Sequence, residues 1–157
     1  IMAYLLFSED NKLMMTGKEV NDFSLLRGDV SHYESLGKVK EVSQDDLRSI
    51  VCLEKTATLV DGNVVLSDLD NGGWSQSQEE FEKVKNKSLA RVNEVLEEGR
   101  LQQDNFSSLK TRMQTYKTDL ENLDVSSITF PVTTSFHRWW YSNMSSEPFT
   151  LLYLHCK

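Results

Sequence analysis

Apolar and polar positions along the chain change period more than once. Near the start, Tyr4-Leu5-Leu6-Phe7 and Leu13-Met14-Met15-Thr16 are short β-prone runs, and Ser8-Glu9-Asp10-Asn11-Lys12 between them has turn chemistry, which predicts a hairpin. Residues 20–36 place Val20, Phe23, Leu26, Val30 and Tyr33 at near-helical spacing around Gly28, a pattern that fits a short helix or an irregular loop. Residues 38–42 alternate like an edge strand. Ser43 then reads as an N-cap, with Asp45 and Asp46 in a first turn and Leu47, Ile50 and Val51 behind them, which predicts a short helix. Residues 53–60 and 64–66 flank Asp61-Gly62-Asn63, where Asp-Gly is a strong local signal for a hairpin.

The period becomes helical after a loop or hinge at residues 67–75. Ser77 and Glu80 have capping-box spacing, and Phe81, Val84, Leu89, Val92, Val95 and Leu96 form an apolar stripe that ends or breaks at Gly99. Asp104 is placed to cap a second helix. Along that helix Phe106, Leu109, Met113, Tyr116, Leu120 and Leu123 recur at steps of three and four, the spacing of a coiled-coil seam. The seam fits either an antiparallel hairpin turned at residues 99–104 or self-association into a dimer or trimer. Its Phe and Tyr, where dimeric zippers carry Ile, Val and Leu, tilt the choice toward the hairpin. Residues 124–133 read as extended, with Pro131 discouraging helix. A short helix over 136–142 carries Trp139-Trp140-Tyr141, and residues 149–154 are apolar and β-prone. An aromatic tail of this kind is expected to be covered, because large apolar patches become interfaces.

The pattern thus predicts an α+β protein. It has a small α+β domain at 1–66, a loop or hinge at 67–75, a helical hairpin or coiled coil at 76–123, and an extended aromatic docking segment at 124–157. Charge follows the same division. Residues 1–75 carry 13 acidic and 7 basic side chains, whereas residues 76–123 carry 9 and 8. The net charge of -7 argues against nucleic acid as a partner, since phosphate binding needs clustered Lys and Arg. No apolar run reaches the roughly 18 residues of a membrane span, so no membrane partner is expected. The first residues lack a basic flank and meet Glu9-Asp10 at once, unlike a signal peptide, and Met2 reads as the initiator. Cys52 and Cys156 are too few for a disulfide scaffold and too far apart for a zinc pair. They read as reduced thiols. Asn86, Asn105 and Asn143 each open a glycosylation-type triplet of a kind common by chance.

No motif names a reaction. His32 and His155 have no partner at a recognisable spacing, and His137 sits beside Arg138 and the tryptophans. An enzyme would have to draw on His32 with some of Asp22, Asp29, Glu34 and Asp45 in the acidic N-terminal domain. Asp61-Gly62-Asn63 and Asp68-Leu69-Asp70-Asn71-Gly72 suit turns better than calcium loops, because the alternating ligands and the bidentate Glu are missing. No metal or cofactor is expected. On a helix, Trp139, Trp140 and Tyr141 point about 100° apart, so they form no flat stacking platform and at least one ring must pack inward.

Residues 109–131 hold Leu109-Lys110-Thr111-Arg112-Met113-Gln114-Thr115-Tyr116-Lys117-Thr118-Asp119-Leu120-Glu121-Asn122-Leu123-Asp124 and close on Val125-Ser126-Ser127-Ile128-Thr129-Phe130-Pro131. This stretch resembles the C-terminal segment of bacteriophage tail-fibre-assembly and related tail proteins. Tyr116, Lys117, Leu120, Leu123, Asp124, Phe130 and Pro131 match that family's helix and its closing aromatic-proline element. The chain departs from the family by continuing 26 residues past Pro131. The resemblance implies a non-enzymatic assembly or structural protein in the virion or host cytoplasm, with protein partners among other tail proteins or a homo-oligomer. Phe106, Leu109, Met113, Tyr116 and Leu120 are the expected interface residues of the seam, and Phe136, Trp139, Trp140 and Tyr141 those of the docking segment. The alternative is a small ligand-binding module or enzyme with its site in the acidic domain.

Overall fold

Strand β1, Met2–Phe7, is the most apolar stretch of the first half, and that composition places it centrally. In the computed structural model, which describes residues 2–25, 28–70 and 72–148, β1 lies between β2 (Leu13–Gly17) and β3 (Val39–Ser43) in an antiparallel sheet of order β2-β1-β3. Ala3, Leu5, Leu6 and Phe7 are fully buried, as expected of a strand covered on both faces. A register shift between Leu6 and Phe7 pairs Leu6 with Met15 and Phe7 with Leu13, leaving Met14 as the extra residue of a bulge. Residues 20–36, of which 26 and 27 lie outside the described residues, form a 3-10 turn at Val20–Leu25 and helix α1 at Val30–Ser35.

Helix α2, Gln44–Val51, follows β3 without a loop because Ser43 caps it, its hydroxyl accepting the Asp46 N–H at 3.1 Å. Leu47, Ile50 and Val51 are its buried face. Strands β4 (Lys55–Val60) and β5 (Asn63–Asp68) form a separate two-stranded ribbon. Asp61 and Gly62 turn it with φ of 52° and 78°, the paired positive values of a type I′ turn. The ribbon is tied to the first hairpin where Leu59 N–H donates to the Asn11 carbonyl at 3.3 Å, beside a Lys12–Thr58 bridge.

The architecture is α+β, and the chain divides after Asp70 into two compact units. β5 runs to Asp68, past the expected start of the hinge at residue 67. In the second unit, residues 124–148 form no separate segment but pack with the helices. Ser77 and Glu80 make the expected capping box at the start of α3, Gln78–Leu96. The expected cap at Asp104 is absent. That residue opens a 3-10 turn, Asp104–Phe106, which runs directly into α4, Ser107–Asn122, so the backbone supplies the start that a side chain was expected to supply.

Helices α3 and α4 run antiparallel. Lys85, in the first half of α3, donates through Nζ to the Leu123 carbonyl at the end of α4, 3.1 Å away, where a cation complements the helix terminus. Gln76 closes the unit: its N–H and carbonyl bond Val132 at 2.8 and 2.9 Å, and its side-chain amide donates to the Thr134 carbonyl at 2.6 Å. Ser135 then caps α5, Phe136–Asn143, by accepting the Arg138 N–H. Phe81 meets Phe130, Phe136 and Trp139, with ring centroids 5.6, 4.7 and 5.1 Å away. Tyr116 meets Trp140 edge-on at 4.9 Å. Phe81 therefore joins three segments distant in sequence, and truncating a buried Phe costs about 3–5 kcal/mol. All three tryptophans, Trp74, Trp139 and Trp140, lie in this unit. We expect Phe81→Ala to lower its stability by that amount, read as an earlier tryptophan-fluorescence transition in urea.

Candidate functional site

The side chains with chemical potential occupy separate local roles. Asp22 is buried, and its Oδ2 accepts the Lys18 and Glu19 N–H groups at 3.1 and 3.2 Å while its own N–H donates to the Glu19 carbonyl. A carboxylate used in this way organises the turn after β2. A Cβ at Gly17 would approach the buried Phe23 ring at 3.1 Å, so a side chain there would press on that ring. His32 is exposed on α1 and has a partner that spacing did not reveal: its Nε2 lies 3.2 Å from Glu9 Oε1, 23 residues earlier. Asp29 stands at the N-cap position of α1, Glu34 is exposed on that helix, and Asp45 sits in the first turn of α2. Cys52 is a buried cysteine at the end of α2. Residues 149–157, with His155 and Cys156, lie outside the described residues.

The nine expected interface residues have a different distribution from a partner-facing stripe. Phe106, Leu109, Met113, Tyr116 and Leu120 are buried along α4, and Phe136 and Trp140 are buried on α5. Their apolar surface packs within the second unit. Trp139 and Tyr141 are half-buried. Trp140 is the inward ring that helical geometry requires, and its indole Nε1 donates to the Ser146 carbonyl at 2.8 Å. Burial pushes the Tyr116 hydroxyl above the ordinary tyrosine range, partly offset by its hydrogen bond with Ser88.

His137 is half-buried beside Phe136, and its Nδ1 is enclosed without a partner among the described residues. Burial lowers its pKa from 6.5 to about 4, so the folded unit holds a neutral imidazole.

Among the described residues, no group of three or more His, Cys, Asp or Glu is placed to hold a metal ion, and no helix is long and apolar enough to cross a membrane. The exposed large apolar side chains among the described residues are Met2, Leu36, Val60, Val65 and Leu69. Three of the five lie on or directly after the β4–β5 ribbon. Register explains two of them. Ala57, Leu59, Val64 and Leu66 share the inward face, so Thr58, Val60 and Val65 share the outward one, where Val60 is 50 % and Val65 41 % exposed. The pairing of hairpin strands was legible in the sequence, but the solvent exposure of this face was not, because it depends on what packs across the ribbon. No protein-family model, curated protein or solved structure matches the chain.

The desolvated His137 imidazole sets a pH dependence with a definite sign. Below pH 6.5 the unfolded chain takes up a proton that the folded unit does not accept until about pH 4. Stability is therefore full above pH 6.5 and falls as the pH drops toward 4. The His137 contribution has a slope of at most about 1 kcal/mol per pH unit. Comparing urea unfolding of the wild type and His137→Gln by tryptophan fluorescence at pH 7, 5.5 and 4.5 isolates it. We expect the variant to lose less stability over this range.

Proposed function

We propose that this chain is a non-enzymatic assembly or structural protein that acts through protein–protein contacts, with the outward face of the β4–β5 ribbon as its contact surface. The observation that carries this reading is that, among the described residues, three of the five exposed large apolar side chains, Val60, Val65 and Leu69, gather on and beside a single ribbon, whereas Met2 and Leu36 are exposed singly. Apolar groups gathered on one face mark an interaction site more strongly than the same groups scattered singly. The local uses of Asp22, His32 and Asp45 support the same reading, since each has a structural partner or position of its own. The resemblance of residues 109–131 to phage tail-fibre-assembly proteins supports a tail or tail-fibre component as the setting, in the virion or host cytoplasm, with other tail proteins as partners.

Site-specific photo-crosslinking tests the surface. A benzophenone side chain at Val65, introduced in the cells that make the protein, should yield an adduct of discrete higher mass. The same group at Lys87, exposed on α3, should yield none. Equal capture at both positions, or none at either, would contradict the proposal.

A further inference from the structure

The ribbon has an open edge whose direction follows from the register. Val60 and Asn63 close a two-residue turn and therefore exchange hydrogen bonds with each other. The alternation then directs the N–H and carbonyl groups of Asn63, Val65 and Ser67 toward β4, and those of Val64, Leu66 and Asp68 away from it. The observed bonds agree. On β4, Leu59 belongs to the outward set, and its N–H is the one that reaches Asn11. Past the end of β5, Leu69 N–H returns to the Glu54 carbonyl at 3.0 Å. Among the described residues, no group bonds the outward set of β5.

This edge also lacks the features that usually blunt one. β3, an edge of the other sheet, carries Lys40 and Glu41, whereas β5 reads Asn-Val-Val-Leu-Ser-Asp with no lysine and no proline. Its charges lie at the two ends, with Asp61 in the turn and Asp68 at the last position, where the Asp68 side chain is 89 % exposed. Lys55, 3.7 Å from Asp68, is the only cation on the two strands. The six residues of β5 span about 17–20 Å.

We propose that β5 accepts an extended basic segment of a partner protein as a third strand, joined through the main chain of Val64, Leu66 and Asp68 and oriented by cations at its two ends. This rests on the reading of the chain as a contact protein. A second copy fits poorly. Antiparallel self-pairing about Val65 sets Asp68 of one copy beside Gly62 and Asp61 of the other, and parallel self-pairing aligns Asp68 with Asp68. Both juxtapose like charges, whereas lysine or arginine at those positions would be complementary.

The test uses the full chain, labelled with ¹⁵N, and a capped octapeptide probe, Lys-Lys-Val-Thr-Val-Thr-Lys-Lys. Two control peptides replace every Lys by Glu or methylate alternate main-chain nitrogens. We expect the basic peptide to bind, with the largest amide shifts at Val64, Leu66 and Asp68. The acidic and methylated peptides should bind at least about tenfold more weakly, and added salt should weaken the basic complex. Asp61→Lys with Asp68→Lys should reverse the preference between the basic and acidic peptides, with continued slow exchange of the Val65 and Ser67 amides showing that the ribbon is intact. Equal binding of the basic and acidic peptides would overturn the proposal, as would shifts confined to other elements or a concentration-dependent dimer joined through β5. Absence of binding by the basic peptide would also overturn it. If a Val65 crosslink still formed in cells, the contact reading would survive and only the added-strand mode would fall.

Discussion

Each of the two units must enclose a core with roughly seventy to eighty residues, near the size at which a domain has only just enough apolar surface to fold alone. That constraint governs how the chain uses its large side chains. In the first unit β1 is covered on both faces and α2 lays Leu47, Ile50 and Val51 inward. In the second, Phe81, Tyr116, Phe136 and Trp140 converge on one aromatic core, and Gln76 holds the segment after α4 against the start of α3. Rings of the kind that serve partners are instead what allows so small a unit to close.

The same constraint gives meaning to what stays outside. A chain this economical with apolar groups still exposes Val60 and Val65 on one ribbon face, beside a strand whose outer hydrogen-bonding groups have no partner among the described residues. Apolar exposure and an open edge arise from different features, one from side-chain register and the other from sheet order. Their coincidence on β5 supports assigning the contact there rather than to the helical seam.

Local signals in the sequence were reliable wherever the determining contacts are local. The Ser43 and Ser77 caps, the Asp61-Gly62 turn and the stripe from Phe106 to Leu120 each depend on neighbours within one or two turns, and each forms as read. Asp104 was misjudged because a 3-10 turn can start a helix without a side-chain cap. The His32–Glu9 pair, the clasp from Gln76 to Val132 and the open edge of β5 were illegible because each depends on which distant segments meet. Periodicity marks a face as apolar. It does not say whether that face meets another helix of the same chain or a different protein, and this is why the seam residues could be read as an interface.

Amide hydrogen exchange of the free chain, resolved residue by residue, probes the central claim most directly. If the apolar seam belongs to the fold and β5 keeps an open edge, Met113, Tyr116 and Leu120 should exchange slowly. Along β5, slow exchange at Val65 should alternate with fast exchange at Val64 and Leu66. Uniform protection along β5 would show that its edge is already occupied, and rapid exchange along α4 would show that the helical seam is not closed within the chain. Either result would contradict the assignment of the contact surface to the ribbon.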